Sequence, residues 1–89
     1  MHWKANYTTR FRKGYRKKSK SLQARADDAI RALLSTVNPE FLGKSKETPF
    51  KGCFAYELDR RNRILYMVNR HDKTIDFLRT CSHKEAYGP

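Results

Sequence analysis

The segment CFAYELDRRNRILYMVNRHDKTIDFLRTC, residues 53–81, decides the fold because it contains three strand-like runs separated by two polar turns. Runs rich in β-branched and aromatic residues favour strands, and the groups DRRN and RHDK favour turns between them. We therefore predict strands over Cys53–Leu58, Arg63–Asn69 and Thr74–Cys81. Because short turns join strands that run in opposite directions, the three strands are expected to form an antiparallel meander.

The middle strand has two faces of different character. Alternate residues of a strand point to opposite faces of its sheet. One face is apolar and consists of Ile64, Tyr66 and Val68. The other face consists of Arg63, Leu65 and Met67. Side chains suited to burial on both faces predict that this strand is central, with Arg63 beside its end.

Upstream of the meander, the sequence predicts a short strand and a first helix. Trp3, Ala5 and Tyr7 alternate with polar residues, which indicates a strand with one face on a core. Thr9 is expected to cap a helix that runs to about Lys18. Its one glycine, in the middle of the segment, weakens the helical propensity.

A second, stronger helix is predicted to start after Ser21 as its N-cap. Its apolar residues recur at spacings of three and four: Leu22, Ala26, Ala29, Ile30, Leu33, Leu34 and Val37. Asn38 and Pro39 end it, because the residue before a proline disfavours helix. Residues 38–52 then read as a connecting loop that Phe41, Leu42 and Phe50 anchor by packing.

The order strand, helical hairpin and three-stranded meander predicts a two-layer α+β fold with the helices on one sheet face. The 89 residues suffice for a single domain spanning 1–89. No stretch approaches the roughly 18 apolar residues of a membrane span, and the start lacks the apolar run of a signal peptide. We therefore expect a cytoplasmic protein that does not contact a membrane.

Neither a metal nor another cofactor is expected. Cys53 and Cys81 lack the CxxC spacing and nearby histidine pair of zinc sites, and the acidic residues are too scattered for a carboxylate cage. We interpret the two cysteines as half-buried thiols without a chemical role.

Positive charge is concentrated at the start of the chain. The sequence has 20 Lys and Arg against 9 Asp and Glu, a net charge of +11, and all the acids lie after residue 20. Such an excess attracts polyanions. The candidate RNA-binding residues are Arg10, Arg12, Lys13, Arg16, Lys17, Lys18 and Lys20. The alternative is a solvated helix that only keeps the protein in solution.

A metal-free RNA cleavage site needs a proton acceptor, a proton donor and cations for the phosphate. Candidates are His83 for proton exchange, Arg63 and Arg79 for the phosphate, and Tyr87 for base stacking or proton donation. Glu85 is a candidate to orient the imidazole. The alternatives are a surface histidine, an edge arginine and a tyrosine that packs the tail.

The stretch PFKGCFAYELDRRNRILYMVNRHDKTIDFLRTCSHKEAYG, with the preceding strand and helices, resembles the RelE/ParE superfamily of toxin–antitoxin toxins. RNRILYMV is similar to the strand of the superfamily that carries an arginine. LRTCSHKEAYG is similar to the tail of YafQ-like and YoeB-like messenger RNA interferases.

This resemblance implies a microbial-RNase-like fold and cleavage of messenger RNA on the ribosome, leaving a 2′,3′-cyclic phosphate and a 5′-hydroxyl. It assigns phosphate contact to Arg63, acid–base chemistry to His83 and stacking or proton transfer to Tyr87. It matches Arg79 to a basic position at the end of the last strand. It also implies a cognate antitoxin as partner, beside messenger RNA and ribosomal RNA.

The chain departs from the resemblance at two places. Where RelE members offer lysines, CFAYELD has Phe54, Tyr56 and Glu57, so a lysine-based mechanism does not transfer. Glu47 lies one residue from the loop position at which YoeB-like members carry a glutamate, which makes it a second candidate base. Two other functions stay open: a noncatalytic relative, including a ParE-like gyrase inhibitor, and a structural protein of ribosomes or chromatin.

Overall fold

The computed structural model describes residues 3–45 and 52–82, with the backbone alone at residues 81 and 82. Its strands and helices follow in chain order: β1 Lys4–Tyr7, α1 Thr9–Arg16, α2 Lys20–Ser35, a 3₁₀ turn Pro39–Phe41, β2 Lys44–Ser45, β3 Phe54–Glu57, β4 Asn62–Asn69 and β5 Thr74–Ser82. Within these ranges, no helix combines the length and the apolar character needed to cross a membrane.

The strands form one five-stranded sheet in the order β1-β5-β4-β3-β2. The pairs from β2 to β5 are antiparallel, which confirms the predicted meander, and β4 is the central strand as predicted. β1 lies beside β5 and runs parallel to it. The two-residue strand β2, inside the predicted loop, adds an edge. The α+β architecture is confirmed.

The main core lies between the helices and one face of the sheet. Ile64, Tyr66 and Phe77 are fully buried there, and Leu33 of α2 packs against them. The opposite face carries a smaller buried cluster of Ala55 and Leu65 with Leu78 packed against it; no described helix residue belongs to this cluster, and we call this side the open face. The alternation of β4 therefore divides its side chains between the two faces as predicted.

The predicted helix caps are wrong by one and two residues. The N-cap of α1 is Thr8 rather than Thr9, and its hydroxyl accepts a hydrogen bond of 3.1 Å from the backbone nitrogen of Phe11. The same hydroxyl lies 3.0 and 2.8 Å from the carbonyl oxygens of Phe77 and Leu78. Contact with β5 therefore fixes where α1 starts, and local sequence does not contain that information.

The second helix begins and ends earlier than predicted. Ser19, rather than Ser21, caps α2 by accepting a hydrogen bond of 3.2 Å from the backbone nitrogen of Leu22. The helix ends at Ser35, before Val37, which is exposed. Beyond its end, the carbonyl oxygen of Thr36 accepts a hydrogen bond of 2.8 Å from the indole nitrogen of Trp3.

The anchor of the connection after α2 also differs from the prediction. Phe41 and Leu42 are 81% and 44% exposed, so neither packs as expected. Pro39 is buried instead, and its carbonyl oxygen accepts a 2.6 Å hydrogen bond from the Tyr66 hydroxyl. Burial raises the pKa of that hydroxyl. A buried polar partner therefore holds this segment, and the prediction for Phe50 lies outside the described residues.

Cys53 is more deeply buried than predicted and carries a free thiol whose pKa is raised by burial. The side chain of Cys81 lies outside the described residues.

Candidate active site

Arg63 is positioned by the turn that joins β3 to β4. The Asp59 carboxylate accepts hydrogen bonds of 2.8 Å from the backbone nitrogens of Arg61 and Asn62, which closes the turn. The carbonyl oxygens of Asp59 and Asn62 in turn accept hydrogen bonds from Nη1 of Arg63. The DRRN sequence thus fixes one side of the guanidinium by backbone contacts.

The other side of the Arg63 guanidinium faces Glu57. The two residues are opposite each other in the β3–β4 register, and Nη2 of Arg63 lies 3.7 Å from Oε2 of Glu57. Arg63 as a whole is only 7% exposed. Arg63 is therefore a largely buried charge beside the DRRN turn. A cavity of about 100 Å³ opens here, and its lining residues are Leu42, Gly43, Lys44, Ala55, Glu57 and Arg63.

Arg79 is close to Arg63 in the β4–β5 register, next to a register shift between Leu65 and Tyr66. In the β4–β5 register Arg63 is opposite Cys81 and Leu65 is opposite Arg79, and residues opposite each other share a face. Such diagonal neighbours are about 7–8 Å apart. The two predicted phosphate-binding arginines are thus neighbours in the register, but they line different cavities, Arg63 with Glu57 and Arg79 with residues of α1.

A basic groove of about 430 Å³ runs between α1 and β5, and we call it the α1–β5 groove. The residues that line it are Thr9, Arg10, Lys13, Gly14, Lys17, Arg79 and Thr80. Three cations from one side of α1 thus face Arg79. With four cations and no acid among these residues, the groove is suited to a phosphate chain.

The seven candidate RNA-binding residues do not form one surface. Arg12 and Arg16 line a separate cavity of about 340 Å³, together with aromatic side chains of β1 and α1 and with Asp27. Nζ of Lys18 donates a 3.1 Å hydrogen bond to the side chain of Asn62, next to Arg63 in the chain. Lys20 is the exposed first residue of α2. The helical period divides the cluster, and a count of charges along the sequence does not reveal this.

The remaining candidates, Glu47, His83, Glu85 and Tyr87, lie outside the described residues. β5 is described to Ser82, the residue before His83, and Ser82 is paired with Asn62. Within residues 3–45 and 52–82, no group of three or more His, Cys, Asp or Glu side chains is arranged to hold a metal ion.

Sequence reasoning missed Glu57 and Lys44 as members of the Arg63 cavity, and Gly14 and Thr80 as members of the α1–β5 groove. For Glu57 the signal was present. Period-two alternation from β3 to β4 puts Ala55 and Glu57 on the face of Arg63 once the hairpin register is known.

No protein-family model matches the sequence, and no curated protein is significantly similar to it. Solved structures do match. A chain of the toxin–antitoxin complex RelBE2 from Mycobacterium tuberculosis is 20% identical with a TM-score of 0.79, and the match covers 93% of this chain and 100% of that chain.

Two Escherichia coli structures are also similar. A variant of the toxin RelE in the free state is 15% identical with a TM-score of 0.77, covering 97% of this chain and 88% of that chain. YafQ is 15% identical with a TM-score of 0.65, covering 97% and 99%. The chain therefore has the fold of the RelE and YafQ toxins, and the resemblance seen in its sequence is confirmed at the level of fold.

Proposed function

We propose that this chain is the toxin of a type II toxin–antitoxin system and an endoribonuclease that cleaves messenger RNA in the cytoplasm. The observation that carries the proposal is the guanidinium of Arg63, which the DRRN turn holds beside a cavity, with the basic α1–β5 groove on the neighbouring strand. A cation that is held in place beside a cavity suits a phosphodiester that gains negative charge during cleavage. The RelE-type fold around them supports the same activity.

In the proposed reaction the 2′-oxygen of a ribose attacks the adjacent phosphorus and the bond to the 5′-oxygen breaks. The products are a 2′,3′-cyclic phosphate and a 5′-hydroxyl. Arg63 and Arg79 stabilise the charge, His83 exchanges protons, and Tyr87 stacks on a base or donates a proton. Ser82, the last described residue of β5, pairs with Asn62 at the start of β4, and His83 is the next residue of the chain. Glu47 and Glu85 are further candidates for acid–base or orienting roles.

The α1–β5 groove is the proposed contact for RNA phosphates, including those of ribosomal RNA beside the message. Its cations are Arg10, Lys13, Lys17 and Arg79. Arg12 and Arg16 line a different cavity, so we assign RNA binding to the groove rather than to the whole basic cluster.

The proposed partner is a cognate antitoxin, and RelBE2 is such a toxin–antitoxin complex with a similar chain. An acidic, partly disordered protein would complement the charge of +11. Its co-expression should suppress the activity of this chain.

The test is primer extension on a message translated with the purified protein. We expect cuts in phase with codons. The variant His83→Gln should lower the single-turnover rate at least about a hundredfold, in line with general acid–base contributions, while ribosome affinity stays the same. His71→Gln is the matched control, because His71 is an exposed residue of the β4–β5 turn.

Intact messages in the presence of the native protein would overturn the proposal. If replication then stalls instead, the ParE-like gyrase inhibitor on the same fold becomes the preferred function. Equal cleavage by the native protein and His83→Gln would remove His83 from the mechanism.

A further inference from the structure

Glu57 is a carboxylate beside the guanidinium to which we assign the phosphate, and none of the roles above uses it. It ends β3 at the position opposite Arg63 at the start of β4. Both residues therefore point to the open face, and Oε2 of Glu57 lies 3.7 Å from Nη2 of Arg63.

The two partners differ in how exposed they are and in the hydrogen bonds that hold them. The side chain of Arg63 is 9% exposed and its Nη1 is held by two backbone carbonyl oxygens, whereas the side chain of Glu57 is 59% exposed. An ion pair with a long separation and one solvated partner contributes little to stability. Stabilisation of the fold therefore does not account for the ion pair between Glu57 and Arg63.

The charges that face Glu57 across the cavity are positive. Arg63 approaches it from β4, and Lys44 from β2 lines the same cavity. No other carboxylate of the described residues lines it. Glu57 is thus the proton acceptor that the described part of the chain offers at this cavity.

The geometry of RNA connects this carboxylate to the reaction. The 2′-hydroxyl and the 3′-phosphate are attached to neighbouring carbons of one ribose. A phosphate bound to Nη2 of Arg63 therefore brings its own 2′-hydroxyl close to the side chain of Glu57. A general base must be within hydrogen-bond reach of the proton that it removes.

We propose that Glu57 is the general base of the cleavage site and takes the proton of the attacking 2′-hydroxyl while Arg63 holds the phosphate. This inference rests on the proposed function. The 2′-oxygen forms a bond to phosphorus, its proton passes to the Glu57 carboxylate, and the bond from phosphorus to the 5′-oxygen breaks. The leaving 5′-oxygen takes a proton from His83, so protons and charge balance with no further reactant.

The test compares Glu57→Gln, Glu57→Asp and Glu57→Ala with the native protein in single-turnover cleavage between pH 4 and pH 9. Binding is measured separately with an analogue that carries 2′-deoxyribose at the cleavage position. Glu57→Gln should lower the cleavage rate at least about a hundredfold. It should bind the analogue as tightly as the native protein or more tightly, because a negative charge beside the phosphate is removed.

Two readouts separate a base from a residue that only supports Arg63. The acid limb of the native pH–rate profile should disappear in Glu57→Gln, and added formate should restore part of the activity of Glu57→Ala. Glu57→Asp should retain measurable cleavage with an acid limb. The matched control is Glu40→Gln, which makes the same change in a glutamate that is paired with Arg70 and does not line this cavity, and it should cleave at the native rate.

Cleavage by Glu57→Gln at the native rate, while the native protein cleaves, would overturn this inference and leave the proposed function intact. The same holds if the rate loss is matched by an equal loss of affinity for the analogue. A native protein that leaves RNA uncut would overturn the proposed function itself, and this inference with it.

Discussion

Gly14 sets how closely α1 approaches β5. A Cβ atom at this position would clash with Oγ1 of Thr80 and would lie 3.4 Å from the carbonyl oxygen of Thr80. In the sequence Gly14 weakens the predicted helix, because glycine costs about 1 kcal/mol relative to alanine. The structure explains the glycine: a residue without Cβ allows the helix to contact the strand, and this packing offsets the lower helix propensity.

We expect Gly14→Ala to lower the free energy of unfolding by about 1 kcal/mol. Overpacking costs about 1–3 kcal/mol, whereas the gain in helix propensity is about 1 kcal/mol at most. Urea denaturation measures the difference. The control is the same change in a Thr80→Ala background, where Oγ1 is absent and Gly14→Ala should be neutral or stabilising. An equal loss in both backgrounds would show that the contact with Thr80 is not the cause.

Arg63 shows which features of a single residue can be predicted from the sequence. Alternation along the strand predicts that Arg63, Leu65 and Met67 share a face, and the DRRN turn predicts that Arg63 lies at a strand end. Its burial and its contact with Glu57 depend on the pairing of two strands and on carbonyl oxygens of the turn. Those features follow from register, which a single strand does not reveal.

At the scale of elements, α1 is a helix with two basic sides. Lys13 and Lys17 lie four residues apart and line the α1–β5 groove. Arg12 and Arg16, also four apart, line the cavity beside Asp27. The two pairs carry equal charge at equal spacing. A comparison of their charge-reversal variants therefore distinguishes a local binding site from the effect of net charge.

Charge reversal of the groove pair, Lys13→Glu with Lys17→Glu, should weaken the binding of a single-stranded RNA. It should also make the salt dependence shallower. Each lost phosphate contact reduces the slope of log K against log salt by about 0.7 for single strands, so two contacts account for about 1.4. Fluorescence anisotropy at several salt concentrations measures this.

The matched control is Arg12→Glu with Arg16→Glu. It changes the net charge equally and should leave the slope close to the native value. If both pairs weaken binding and flatten the slope equally, net charge alone explains the affinity, and α1 is only a solvated basic helix.

The two α-helices were predictable because their apolar spacing is local information. Their first residues were not. The choice of Thr8 as a cap depends on the carbonyl oxygens of Phe77 and Leu78, about 70 residues away in the chain. The parallel pairing of β1 with β5 is likewise a long-range contact, and the sequence of neither segment indicates it.

At the scale of the whole molecule, Arg70 ties distant parts of the chain together. Its guanidinium donates two hydrogen bonds of 2.6 Å to the Glu40 carboxylate and one of 3.1 Å to the side chain of Asn38. It also lies 5.4 Å from the centre of the Trp3 ring. The contact links the segment after α2, the β4–β5 turn and the residue before β1.

The hydrogen bonds from Arg70 hold the pKa of Glu40 below its ordinary value. A carboxyl with a lowered pKa in the folded state contributes stability above its unfolded pKa, about 4.3, and this contribution is lost as the pH falls through the folded pKa. At pH 7 we therefore expect Glu40→Gln to melt at a slightly lower temperature than the native protein. The difference should shrink as the pH falls below about 4.3 and through the lower folded pKa, and thermal melts at several pH values check it.

The control for this prediction is Asp28→Asn. Asp28 pairs with Arg31 within α2, but both side chains are 77% exposed, so the change should have little effect at any pH. A melting difference between the native protein and Glu40→Gln that stays constant from pH 7 to pH 3 would show that the carboxylate charge is not responsible.

The sequence by itself determined the α+β class, the helical hairpin, the antiparallel meander, the central position of β4 and the excess of positive charge. Each of these depends on residue spacing within one segment or on composition. Only the tertiary structure decided which cations of α1 share a groove with Arg79. It also decided that Glu57 faces Arg63. These contacts depend on how strands pair and how closely a helix packs, because side chains distant along the chain meet only when the sheet fixes their register.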